Sequence, residues 1–278
     1  MRGGFNQMMA VARYEWQTML RNRWLAAFAL LFAILSSGLF YWQYAIYQGE
    51  SGIGISKPTS ILMNLVLQFV PLMSLILSAQ SIAGDKGDGM LALLRSYQLS
   101  SLRYITGKWL GLCAAMTLSF VIGIGIPLLI SLFFSSSSLL QLLTLFFEGI
   151  LLIGIFSAIG LWLGGRMKGR MGAISSSLVV WFFLVFLYSM IVMIVIQYIP
   201  YLWKKPLLAG FLVLNPIEAI RIGSVFIQGQ GELYGAEFVN WQRTLSGWKG
   251  IGVAFGLSLF YLFTPIGMAA KSLKKGER

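Results

Sequence analysis

LLQLLTLFFEGILLIGIFSAIGLWLG, residues 139–164, carries a single charged side chain, Glu148, across its whole length. Wound as an α-helix at 1.5 Å per residue, such a run reaches about 39 Å, more than the ~30 Å hydrocarbon core of a bilayer. Runs of the same kind recur at about 24–44, 61–82, 109–134, 173–196 and 248–270. The chain of 278 residues is 58% hydrophobic and 11% charged, where an ordinary soluble domain has about 45–50% and about 25%. No stretch is left for a soluble domain. The pattern predicts an all-α integral membrane protein with six transmembrane helices in one domain, 1–278. The first run opens only after 23 residues and lasts about 20, too long for the core of a signal peptide, so it is expected to remain as a spanning helix.

The connecting segments add detail. Phe5, Met9, Ala12, Trp16 and Met19 or Leu20 recur at helical spacing, while Asn6, Gln7, Arg13, Glu15 and Gln17 face elsewhere. Residues 5–22 therefore read as an interfacial helix, with a polar lead-in as the alternative. Pro71 removes a backbone donor from the second span and predicts a kink. After the polar break from Gly84 to Gly89, the residues Met90, Leu91, Leu93, Leu94 and Tyr97, flanked by Arg95 and Arg103, suit a short helix lying flat in the cytoplasmic interface. Only Ser135 to Ser138 separate the third and fourth spans, which implies an antiparallel hairpin. Between the fifth and sixth, Asn215-Pro216-Ile217-Glu218 has the order N-cap, first-turn proline, first-turn carboxylate. A short helix is expected there from about Ile217 to Ile227, preceded by an apolar segment dipping into the outer leaflet; an irregular loop is the alternative.

Net charge is +12 with pI near 10.0. The basic residues are unevenly placed: fifteen of the 21 fall on one side of the six-span scheme and six on the other. Lysine and arginine gather on the cytoplasmic side, so both termini are placed there, and the charge is assigned to lipid headgroups, with no nucleic-acid partner. Histidine is absent and Cys113 is the lone cysteine, which excludes an intramolecular disulfide, zinc-finger spacing and histidine-based metal centres. Gly107-Lys108 is followed by Trp109 and has Leu102 where a P-loop needs its first glycine, so no nucleotide is bound by that motif. No catalytic, cofactor or metal residue is assigned, and no enzyme activity is expected. The methionine pairs Met190/Met193 and Met167/Met171 share helix faces and are read as packing. Gly107-x-x-x-Gly111, Gly160-x-x-x-Gly164 and Gly252-x-x-x-Gly256 allow close helix approach and are read as dimer signals. Glu148, about nine residues or ~14 Å from the outer end of its run, must face the bundle interior or water, or be neutral. It is either a structural pairing or a stop on a proton route.

These features resemble the ABC-2 type permeases. The resemblance rests on Ala12-Arg13-Tyr14-Glu15 in the interfacial helix, Arg21-Asn22-Arg23-Trp24 at the start of span one, and Asp85-Lys86-Gly87-Asp88-Gly89 followed by Leu91 to Leu94, Tyr97 and Gly107-Lys108. The proline and arginine usual in that turn are replaced by Gln98 and Ser100-Ser101. Two shorter motifs, residues 20–25 and 214–221, are similar to permeases of nitrous-oxide reductase maturation systems. The resemblance implies a homodimer of this subunit above two ABC ATPase subunits that carry ATP and magnesium. It also implies a coupling helix between spans two and three, a bacterial inner-membrane location, and a copper-handling protein on the periplasmic side. It places Glu15, Asp85, Asp88, Leu91, Leu94 and Arg103 in or near the ATPase contact and Asn215, Glu218 and Arg221 on the outer face for a partner. Two readings from other classes remain beside it: a proton-coupled secondary carrier using Glu148, and a membrane scaffold that transports nothing.

Overall fold

All regular structure among the described residues is helical. The computed structural model describes residues 2–46, 56–90, 99–134, 139–227, 240–241, 243–244 and 248–275. Its elements are α1 (Arg2–Leu20), α2 (Arg23–Ile46), α3 (Ser56–Gly87), α4 (Ser101–Phe134), α5 (Leu139–Arg166), α6 (Arg170–Tyr198), α7 (Tyr201–Leu214), α8 (Pro216–Ile227) and α9 (Trp248–Lys275).

Five of these, α3, α4, α5, α6 and α9, are each long and apolar enough to cross a membrane. Two further pairs pass that test only jointly, α1 with α2 across a 64° bend and α7 with α8 across a 109° bend. The protein is thus multi-pass, with five to seven candidate crossings among the described residues, a range that contains the expected six.

The first bend has a local cause. Asn22 ends α1 through its amide N–H to the Met19 carbonyl at 2.9 Å, and its Oδ1 accepts the Trp24 amide at 3.0 Å. That is an N-cap satisfying a free donor of α2, so the Arg21-Asn22-Arg23-Trp24 motif works as a corner. The second bend is built the same way on Asn215. Pro71 lies inside an unbroken α3. The helix expected from about Ile217 runs Pro216–Ile227. The apolar segment before it is itself a helix, α7, beginning at Tyr201 and running through Pro206.

The core is built on α5, which packs against α3, α4 and α9, with α2 laid on α4. Phe32, Leu67, Leu75, Leu112, Phe120 and Phe156 are fully buried there. Phe28, Phe32, Phe120 and Phe146 form an edge-to-face chain with centroid spacings of 4.7, 6.2 and 6.0 Å. Glycines bring the helices into backbone contact. A Cβ on Gly160 would lie 2.7 Å from the Leu75 carbonyl, and one on Gly164 would collide with the Ala79 carbonyl, so α5 rests on the backbone of α3. Gly107 and Gly111 do the same for α4 against α1. Both glycine pairs are therefore used within one chain, which corrects their reading as dimer signals. Gly252 and Gly256 face open space.

α6 and the N-terminal half of α9 lie at the edge of this core, while Ile266, Ala269 and Leu273 of α9 are buried in it. Trp181 Nε1 donates to the Gln68 carbonyl at 2.7 Å and Ser177 Oγ to the Leu75 carbonyl at 3.3 Å, pinning α6 to α3. Met190, Met193, Phe255, Phe260 and Phe263 are left exposed, as suits helices that meet lipid or a second subunit.

Candidate functional site

At the basic end of the bundle, where α1 crosses the C-terminal part of α3 and the start of α4, five polar side chains converge. Lys108 of α4 is 1% exposed. Its Nζ lies 2.7 Å from Glu15 Oε2 of α1 and 2.6 Å from Asp85 Oδ2 of α3. Ser81 donates its hydroxyl proton to Glu15 Oε1, and Tyr104 donates its own to Asp85 Oδ2. Ser81 and Asp85 are four residues apart, as are Tyr104 and Lys108, so each pair presents one helix face to the cluster. Two carboxylates share one ammonium, and two hydroxyls supply the remaining hydrogen bonds. Stripping any one charge from such a desolvated group leaves its partners uncompensated.

Backbone geometry makes the cluster reachable. Gly107 and Gly111 flank Lys108, and a Cβ on Gly107 would sit 2.6 Å from the Met8 carbonyl. One on Gly111 would meet both the Ala12 carbonyl and Glu15 Cβ. With no side chains in the way, α1 lies directly on α4 and Glu15 reaches Lys108. Glu15 therefore sits behind the surface rather than on it, and Asp85 keeps about a fifth of its side chain exposed (22%).

Nearby groups face outward. Asp88 pairs with Arg170 at 2.7 Å, both about two-thirds exposed. Lys86 Nζ donates to the carbonyls of Gly165 and Met167 at 3.3 and 3.5 Å, capping the C-terminal end of α5. Gly89, with φ of +74°, takes the left-handed conformation that turns the chain after α3. Arg103 is exposed and its guanidinium rests on Gly4 of α1, where a Cβ would come within 2.9 Å of Cζ. Leu91 and Leu94, like the short helix expected around them, lie outside the described residues.

At the opposite end Asn215, Glu218 and Arg221 turn into the protein. Asn215 is fully buried; its Oδ1 accepts the Ile217 amide at 3.0 Å and its Nδ2 donates to the Leu184 carbonyl at 2.8 Å. Leu184 belongs to a π-helical turn, Phe183–Leu187, in the middle of α6. Glu218 Oε1 accepts from Ser189 Oγ at 2.9 Å and from Arg221 Nη1 at 3.2 Å. Tyr188 and Tyr261 donate to the Phe211 and Val213 carbonyls, tying α7 to α6 and α9. The motif thus fixes a bent cap over the bundle, whose exposed residues include Leu202, Trp203, Leu214 and Ile227. Glu148 is 1% exposed beneath this cap.

Lys108, Tyr104 and Ser81 are the residues that sequence reasoning missed. Lys108 enters the sequence reading only within the Gly107-Lys108 motif and among the basic residues beside an apolar run, with no sign that it is buried. The retrievable signal is the i, i+4 polar spacing on two helices together with the two glycines around the lysine.

Residues 9–270 match the profile of the ABC-2 family transporter proteins. The chain is 31% identical over 238 residues to the "Probable ABC transporter permease protein NosY" of Stutzerimonas stutzeri, covering 83% of this chain and 86% of that protein. It is 32% identical over 219 residues to the protein of the same name from Pseudomonas aeruginosa, covering 76% and 79%.

Proposed function

The chain belongs to the ABC-2 transporter family as a multi-pass membrane subunit, and from that premise we propose that it passes the work of ATP hydrolysis, done by two separate ATPase subunits, into its own helix bundle. The observation that carries this reading is the Glu15–Lys108–Asp85 cluster. It joins α1, a helix whose exposed residues include Phe5, Met9, Tyr14 and Leu20, to the ends of two core helices. A push on α1 or on the turn after α3 then moves α3 and α4 together, because shearing them apart would break buried, charge-assisted hydrogen bonds.

In this reading six spans, α2, α3, α4, α5, α6 and α9, cross a bacterial inner membrane with both termini cytoplasmic, in keeping with the fifteen-to-six division of basic residues. Asp88, Arg103, the rim of Asp85, Leu91 and Leu94 meet the ATPase, and Glu15 acts behind them. A homodimer covers part of the apolar surface left open on α6 and α9. Asn215, Glu218 and Arg221 hold the cap that meets a copper-handling partner on the far side. The resemblance of residues 20–25 and 214–221 to permeases of nitrous-oxide reductase maturation systems supports a role in that maturation, and the identity with the NosY permeases is in keeping with it.

The test is reconstitution of the full complex in lipid nanodiscs with its ATPase, comparing Asp88→Lys and Leu91→Asp with the unaltered chain. Both changes are expected to lower the membrane subunit's stimulation of ATP hydrolysis several-fold while the subunit stays folded. Unchanged stimulation in both would refute the assigned contact. A chain that moves substrate in liposomes with no ATPase bound would refute the function.

A further inference from the structure

Glu148 of α5 and the partly buried Arg221 of α8 lie near one another across the α5–α8 contact, and each lacks something the other supplies. Glu148 of α5 is 1% exposed, and neither of its carboxyl oxygens has a hydrogen-bond partner. Ser224 and Arg221 of α8 lie close enough to influence that carboxyl group, though neither makes a hydrogen bond of standard geometry to it. Ser224 Oγ donates instead to the Ile220 carbonyl at 3.1 Å. Arg221 spends Nη1 on Glu218 at 3.2 Å, while its Nε is buried and without a partner. Glu218 is better provided for, since Ser189 Oγ holds the same oxygen at 2.9 Å.

We propose that Glu148, Arg221 and Glu218 form a two-position charge switch, in which the Arg221 guanidinium exchanges Glu218 for Glu148 and so locks the bent outer cap onto the core helix α5. In the position seen here Arg221 sits on Glu218, and Glu148 is neutral because an unpaired charge at that depth is too costly. In the second position the guanidinium fork meets the Glu148 carboxylate, the buried Nε gains an acceptor, and Glu218 keeps its bond from Ser189. Charge balances if the proton that leaves Glu148 goes to Glu218. The exchange is cheap because each position satisfies what the other leaves open, and one arginine cannot serve both carboxylates with a full fork. The groove at this contact, lined by Leu143, Thr144, Phe147, Ser224 and Ile227, gives α8 room to settle toward α5. The switch lies at the end of the bundle away from the Lys108 cluster and does not depend on an ATPase partner.

The experiment is a double-mutant cycle on the full chain in lipid nanodiscs, read by thermal unfolding and by infrared detection of the protonated carboxyl group. In the unaltered background, Glu148→Gln and Arg221→Gln are expected to act additively on the midpoint. In a Glu218→Gln background Arg221 has only Glu148 left, so the two changes are expected to couple by several degrees. The protonated-carboxyl signal that Glu148→Gln removes should also fall when Glu218→Gln is introduced and return when Arg221→Gln is added. Additive midpoints in the Glu218→Gln background, or a Glu148 signal indifferent to Glu218 and Arg221, would overturn the switch. If Arg221→Gln fails to fold, Arg221→Lys serves: it keeps the charge, loses the fork, and is expected to halve the coupling or more, and full retention would equally overturn it.

Discussion

Replacing Lys108 by methionine is the sharpest probe of the buried cluster. Methionine keeps much of the lysine stem's volume and removes the ammonium, leaving Glu15 at 2% exposure with Ser81 as its one remaining partner and Asp85 with Tyr104. Breaking a buried ion pair by removing one partner costs about 3–5 kcal/mol, because the surviving charge stays desolvated. At about 2–4 °C per kcal/mol for a chain of this size, the unfolding midpoint should fall by roughly 6–20 °C. The companion is the triple change Glu15→Gln, Asp85→Asn, Lys108→Met. It removes all three charges, and neutral replacement of a whole buried cluster is close to energetically neutral. The triple variant should therefore recover most of what the single one loses. The assay is tryptophan-monitored unfolding in nanodiscs, joined to trypsin cleavage at Arg13 and Arg21 as a measure of α1 release. A single variant that loses less than about 1 kcal/mol, or a triple variant as unstable as the single, would refute the claim that charge compensation holds α1 to the bundle.

Three further outcomes are expected. Gly111→Leu puts a side chain where the Ala12 carbonyl lies; it should release α1 to trypsin at a cost of about 1–3 kcal/mol or more, whereas Gly256→Leu, which meets nothing within 4 Å, should leave cleavage unchanged. Asn215→Ala removes the N-cap of α8 and the side-chain bond to the Leu184 carbonyl, a loss of roughly 1–3 kcal/mol that amide hydrogen exchange at Ile217 and Glu218 would register as faster exchange. Asp88→Asn breaks a pair that is two-thirds exposed, so stability should change by under about 1 kcal/mol; a fall in ATPase stimulation without a fall in midpoint would then trace to partner contact.

Particular elements show how much the chain announced beforehand. The N-cap at Asn215, the first-turn Pro216 and the helix to Ile227 follow from local chemistry and are present as expected. The corner at Asn22 is equally local, since a side-chain amide two residues from a free backbone donor needs no tertiary help. The helix from Tyr201 is less legible in the sequence, because Lys204, Lys205 and Pro206 interrupt its apolar pattern. The partner surface expected of Asn215 and Glu218 is turned inward, since a polar side chain beside a helix start serves a cap and an interface equally well on paper.

Hydropathy alone settled that this is a helical membrane protein, because backbone amides in hydrocarbon must bond within their own segment and an apolar run long enough to cross has no other form. The uneven spread of lysine and arginine set its expected orientation for a similarly one-dimensional reason. What the linear order could not supply was pairing across the bundle. Glu15, Asp85 and Lys108 are 70 and 23 residues apart along the chain, and they meet only because Gly107 and Gly111 let α1 lie on α4. Which carboxylate faces a partner and which is buried against a lysine is a matter of distance and desolvation, and those exist only once the helices have packed.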